Sequence, residues 1–185
     1  HLHSILWGIL ASFSVRRLYQ TCGLNGWAVG LAVFFFVVDE AHVMPMAWLA
    51  NRNILIALCF GALSISHYID WRKGESSLGW CLLYYALSLL SAEGGISTFG
   101  YMLAWSIVYE DNWRKRVLGL LPLVSLTIVW RLVYNMMDYG EWGTGIYADP
   151  LSDPLGFLIV LLQRLPTLML GQWLPFSTEL TTVLP

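Results

Sequence analysis

Charge is scarce in this sequence of 185 residues: Asp, Glu, Lys and Arg together make up 12%, against about 25% in soluble globular domains. That shortage argues against a surface that faces water all round, and the formal net charge of −2 leaves no basic excess to hold nucleic acid. Cysteine is sparse too. Cys22, Cys59 and Cys81 stand far apart, with no CxxC pair and no even-numbered framework, and each lies in or beside an apolar run. They read as small buried apolar side chains rather than as disulfide partners or metal ligands. There is no internal repeat and no low-complexity tract, and no P-loop, GxSxG or GxGxxG stands in a supporting context. The opening "HLHSILWGIL" has neither a basic n-region nor a small-residue cleavage site, so it reads as the middle of a longer protein and not as a signal peptide.

Apolar residues fill the space that charge leaves. The chain is 57% hydrophobic, with 10 Trp, 9 Tyr and 8 Phe, a composition that belongs to membrane proteins. Apolar segments fall at about 1–14, 22–38, 54–69, 76–92, 94–109, 117–134 and 155–174, near the 17–25 residues of a spanning helix or a little short of it. "LAVFFFVV" and "LGLLPLVSLTIVW" are apolar all round rather than on one face. These runs predict an all-α integral membrane protein of about seven transmembrane helices, forming one polytopic domain over 1–185.

The basic residues orient it. Arg16 and Arg17 lie in a connection at about 15–21, Arg72 and Lys73 at about 70–76, and Arg114, Lys115 and Arg116 at about 110–116. Seven of the ten Lys and Arg thus occupy alternate loops, as cytoplasmic loops do. The other loops, about 39–53, 92–95 and 135–154, carry acids (Asp39, Glu40, Glu93, Asp138, Glu141, Asp149 and Asp153) and face outward. A bacterial inner membrane is the expected location.

Polar residues gather at that outward face. Asp39, Glu40 and His42 end the second span, and Asn51, Arg52 and Asn53 begin the third. The intervening "MPMAWL" is too apolar for a solvated loop and too short to span, so it reads either as an interfacial or re-entrant helix with Trp48 at headgroup level, or as part of a tight hairpin. Glu93 is flanked by Gly94 and Gly95, which also suits plain turn chemistry. Arg131 shares a helical face with Tyr134 and Asp138. Arg164 lies about nine residues into the last span, where a cation costs at least ~2.5 kcal/mol unless it meets a partner or a water-filled cavity. An ion pair and an anion site, such as a lipid-linked phosphate, both meet that need. His67 reads as an interhelical hydrogen-bonder. Asp39, Glu40 and His42 are a minimal donor set for a divalent cation and carry no metal signature.

"HVMPMAWLANRNILIAL" resembles the H-x3-(V)-A-W-I-x-x-R-x-(D)-L-(L) stretch of multi-spanning membrane glycosyltransferases of the GT-C type, in particular the bacterial relatives of transmembrane tetratricopeptide-repeat O-mannosyltransferases. His42, Trp48 and Arg52 fall on the marked positions. "LLSAEGGISTFGYMLAWSIVYEDNWRKRVLGLLPLVSLTIVWRLVY" is similar to that family's second signature: an L-S-K-E turn, an apolar span, a basic loop and a further span ending in arginine. Ala92 replaces the lysine, and Asp39-Glu40-Ala41-His42 replaces the family's H-P-x-H; the likeness covers about residues 36–134.

The resemblance implies transfer of a sugar from a polyprenyl-phosphate donor to an acceptor on the outer face. Such transfer needs a carboxylate base and cations that neutralise the leaving phosphate. It points to Asp39, Glu40 and Glu93 as candidate catalytic acids, and to His42, Asn51, Arg52, Arg131 and Arg164 as candidate substrate or phosphate contacts. Asp39 and Glu40 are second choices, because the family's usual acid lies in a loop that would precede His1. The expected partners are the bilayer, a lipid-linked sugar and other membrane subunits. Two other readings stay open: a non-catalytic subunit of a respiratory or photosynthetic complex, whose histidines would ligate haem or chlorophyll, and a transporter.

Overall fold

The computed structural model describes residues 2–137, 139 and 153–173, apart from the side chains of 40, 43, 44, 168 and 170–173. Among these every regular element is helical. In chain order they are α1 (Leu2–Thr21), α2 (Gly26–Val38), α3 (Val43–Ala47), α4 (Arg52–Lys73), α5 (Leu78–Ser91), α6 (Ser97–Tyr109), α7 (Trp113–Met136) and α8 (Pro154–Trp173). Short 3-10 turns at Glu40–His42, Leu49–Asn51 and Glu93–Ile96 join α2 to α3, α3 to α4 and α5 to α6.

Local chemistry sets several of these ends. α1 and α4 stop in the same way, with Gly23 at φ +97 and Gly74 at φ +83. In both, the glycine N–H bonds the carbonyl three residues back and the next N–H reaches five back: Gly23 to Gln20 and Leu24 to Tyr19, Gly74 to Trp71 and Glu75 to Asp70. This is a Schellman stop, which favours glycine because its C′ residue is left-handed. α7 starts on Asn112, whose side chain accepts from the N–H groups of Arg114 and Lys115. α8 starts on Asp153, whose Oδ1 accepts from Gly156 N at 2.9 Å, with Pro154 in the first helical position where no N–H is needed.

Contacts divide the chain into a unit before residue 138 and a second that holds α8. In the first, α4 is the central helix, packed against α1 and α5 and touching α6. A core of Tyr68, Tyr85, Leu89, Met102 and Leu123 is buried there, and small or polar residues are buried beside it. Ser64, Ser66, Ser88 and Ser106 are 0% exposed, whereas Phe34 and Phe35 are 58% and 61% exposed. The seams are polar as well: Ser64 Oγ donates to Cys81 O at 2.9 Å and Ser88 Oγ to Ala57 O at 2.8 Å, while Ser14 Oγ and Cys59 Sγ stand 3.2 Å apart. Tyr68 shares a 2.5 Å bond with Ser106, and Tyr85 a 2.7 Å bond with Thr127. Glycine lets the backbones close in, since a Cβ on Gly61 would lie 2.7 Å from Thr98 Oγ1 and one on Gly95 2.5 Å from Ser88 O. Small residues and interhelical hydroxyls at the contacts are how helices associate in lipid.

Among the described residues two helices are long and apolar enough to cross a membrane, Leu49–Lys73 and Trp113–Met136; Gly26–Val38, Leu78–Ser91 and Pro154–Thr167 are apolar but shorter. The count of seven long spans is therefore not reproduced. The expected loops shift too. Residues 15–21 belong to α1, 70–73 to α4 and 113–116 to α7. Arg and Lys are good helix formers, and the glycine stops lie beyond the basic residues of α1 and α4. The outward loop at 135–154 falls mostly outside the described residues.

The basic residues do gather at one end of this unit. Lys73 Nζ donates to Thr21 O at 3.0 Å, Arg17 meets Asp70 at 3.4 Å, Arg72 pairs with Glu110, and Arg72 Nη2 reaches Lys115 O at 3.2 Å. Arg116 bonds the carbonyls of Ser106, Ile107 and Glu110. This is the basic end; the opposite one, with Asp39 and Glu93, is the acidic end.

Candidate functional site

At the acidic end the helices do not finish level. Thr98, second residue of α6, packs on Gly61, the tenth residue of α4. α6 therefore begins about 13 Å along the α4 axis from Arg52. The recess is bridged by the turn Glu93–Ile96.

Beside that turn a cavity of about 520 Å³ opens between α1, α2, α4 and α6. Phe36, Ile54, Ala92 and Gly94 line its acidic-end part, small residues (Ala57, Gly61, Ala62, Gly95) widen it, and Tyr19, Ile65 and the exposed Tyr101 line it further towards the basic end. From Ile54 to Ile65 it follows α4 for about 16 Å. The lining is mostly apolar, with hydroxyl-bearing Ser97, Thr98, Tyr19 and Tyr101 among it, so a hydrocarbon chain fits it better than an ion.

Polar groups stand around this cavity, and the candidate residues divide. Glu93 is exposed; its chain neighbours Ala92 and Gly94 line the cavity, while its own Oε1 accepts a hydrogen bond from Tyr134 O–H of α7. Arg131 lies over the Tyr134 ring, its guanidinium carbon 5.5 Å from the centroid. Glu93, Tyr134 and Arg131 are thus one constellation across two elements. Arg52 is partly buried at the start of α4, two residues before the cavity-lining Ile54, and its side chain forms no ion pair among the described residues. Asn51 is partly buried beside it and Asn53 is exposed. His42 packs its ring on Phe36 at 4.3 Å between centroids, and its Nδ1 is buried without a hydrogen-bond partner. It therefore backs the cavity wall through Phe36.

Other candidates take different places. Asp39 is exposed, and its Oδ1 accepts from Ala41 N at 2.9 Å, so it caps the turn that leads into α3. The Glu40 side chain lies outside the described residues. Trp48 is 55% exposed between α3 and the next turn. α3 packs on α1 and α4, with Met46 pressed against Gly8. Arg164 and Gln163 are exposed on α8, in the second unit. His67 is held at 2.9 Å by Ser76 Oγ and stacks on Tyr84, which gives it an interhelical role. Among the described residues no group of three His, Cys, Asp or Glu is placed to hold a metal ion.

Sequence reasoning missed the cavity and the link from Glu93 to Tyr134. The partners are 41 residues apart, and no local pattern marks them. The glycines had a signal, since Gly94-Gly95 after an acid is rare inside apolar runs, but it read as a turn. No protein-family model, curated protein or solved structure matches the chain.

Proposed function

We propose that the chain is a multi-pass protein of a bacterial inner membrane that acts at its outward face on a lipid-linked substrate, with transfer of a sugar from a polyprenyl-phosphate donor as the reaction. The observation that carries this reading is the mostly apolar cavity whose lining includes Ala92 and Gly94, the chain neighbours of Glu93. In the proposed topology the basic end is cytoplasmic. The passes are α1, α2, α4, α5, α6, α7 and α8. α2, α5 and α6, at 13, 14 and 13 residues, are only about 20 Å long. The turns and α3 that follow at the acidic end complete the crossing, which sets the site below the outer surface.

In this arrangement the cavity holds the first part of the donor's hydrocarbon chain. Arg52 and Arg131 face the phosphate, and Asn51 and His42 line the approach. Glu93 takes the proton of the acceptor hydroxyl. The acceptor oxygen bonds the anomeric carbon as that carbon's bond to the phosphate oxygen breaks, and polyprenyl phosphate leaves with the electron pair. Tyr134 fixes the carboxylate by its hydrogen bond.

The test is turnover of a polyprenyl-phosphate hexose by the purified chain in phospholipid vesicles. Glu93→Gln is expected to lower it about a hundredfold or more, with donor binding retained. No turnover by the native chain, with no donor bound, would contradict the reading.

A further inference from the structure

The basic end carries cations that the fold does not use. Lys73 to Thr21, Arg17 to Asp70 and Arg72 to Lys115 join the ends of α1 and α4 and the start of α7 into one rim. Arg17 and Arg72 are engaged by Asp70 and Glu110. Arg16 and Lys115 are exposed, and their side chains form no hydrogen bond or ion pair with a described residue. Arg114 is exposed over Trp113, its guanidinium 5.7 Å from the ring centroid, and Lys73 has spent one of three donors. The exposed acids nearby are Glu75 and Asp111. Trp113 and Tyr109, 65% and 68% exposed, flank the rim. Cations beside outward-turned aromatic rings are the pattern of a headgroup layer.

We infer that this rim binds the phosphates of anionic phospholipids in the leaflet it faces, with Arg16, Arg114 and Lys115 as the principal contacts and Lys73 as a fourth. The inference rests on the multi-pass reading above but not on sugar transfer. The rim presents four available cations against two exposed carboxylates, so charge complementarity favours an anionic headgroup over a zwitterionic one. A zwitterionic lipid offers the same phosphate, but its ammonium group offsets part of the attraction.

Native mass spectrometry of the full chain, released from nanodiscs of equal phosphatidylglycerol and phosphatidylcholine, reads the ratio of the two lipids retained. Phosphatidylglycerol is expected to dominate, and the preference is expected to fall about fivefold for each of Arg16→Gln, Arg114→Gln and Lys115→Gln. The charge-preserving set Arg16→Lys, Arg114→Lys and Lys115→Arg should keep it. Neutral variants that hold the native ratio, or a charge-preserving set that loses it, would overturn the inference. If the neutral variants do not fold, 0.5 M NaCl on the native chain serves instead: a ratio that collapses towards one supports the rim, and an unchanged ratio overturns it. Inorganic phosphate at millimolar concentration should leave the ratio intact, because a lipid is also held by its chains; displacement by phosphate would overturn the lipid as the occupant. Labelling of Cys22 from one side of the membrane separately tests the multi-pass reading.

Discussion

The two ends of the first helical unit are built differently. At the basic end Arg72 bridges α4, Glu110 and the start of α7, and Arg116 ties three carbonyls, so the ends of α4 and α6 and the start of α7 are fastened together. At the acidic end the fixings among the described residues include the bond from Tyr134 to Glu93, the cap on Asp39 and the packing of α3 on α1 and α4, with no ion pair between described residues. There the helices stop at different depths and leave a cavity. Ion pairs that are nearly buried hold helices only where both partners are present, whereas apolar walls without cross-links leave room for a ligand. The fastened end makes the frame, and in the proposed function the other end holds the ligand.

Removing one fastening should have the largest effect. The side chains of Arg72 and Glu110 are 14% and 10% exposed, so Arg72→Met leaves a carboxylate almost without water. A loss of about 3 kcal/mol is expected, read by thermal unfolding in detergent, and Arg72→Met with Glu110→Leu should recover much of it. Equal losses in single and double variants would remove the contrast between the ends.

Adjacent glycines sharpen it next. A Cβ on Gly95 would meet Ser88 backbone atoms at 2.5 Å, whereas one on Gly94 meets nothing within 4 Å. Gly95→Ala should cost about 1–3 kcal/mol. Gly94→Leu should leave unfolding nearly unchanged while blocking the cavity, so that bound polyprenyl phosphate falls about tenfold or more. A Gly94→Leu chain that binds as the native one does would place the ligand elsewhere.

The smallest effect concerns Cys22, the exposed thiol among the three. Burial pushes its pKa up, and the Lys73 ammonium opposes the shift. The thiol is therefore mostly protonated at neutral pH. Because the thiolate is the reactive form, maleimide labelling should speed up nearly tenfold per pH unit from 7 to 8. Lys73→Gln should slow it. In sealed vesicles that expose only the acidic end, a membrane-impermeant maleimide should not label Cys22, and Cys59 and Cys81 stay buried.

Much of this frame was legible from the sequence. Apolar runs gave the helices, and "MPMAWL", read either as an interfacial or re-entrant helix or as part of a tight hairpin, overlaps the short helix at Val43–Ala47 between two 3-10 turns. The spacing put Arg131 and Tyr134 on one helical face, and the fold adds that the guanidinium lies over the ring. The helix ends were misplaced because Arg17, Arg72 and Lys115 look like loop residues by charge, while the stops at Gly23 and Gly74 depend on left-handed backbone. The cavity was not legible, because it exists only where Gly61 lets α6 approach α4 and where Phe36 and Tyr101 arrive from other helices. Nor were the pairs of Arg72 with Glu110 and Tyr134 with Glu93, since contacts between residues about 40 apart follow from packing and not from local pattern.

The most direct measurement is photocrosslinking with a diazirine-bearing farnesyl phosphate, mapped by peptide sequencing on the native chain and on Gly94→Leu. The label is expected on the cavity wall, at Ile54, Thr98 and Tyr101, and to be lost in Gly94→Leu. Label spread over the exposed faces of α2 and α7, and unchanged by that substitution, would contradict the account.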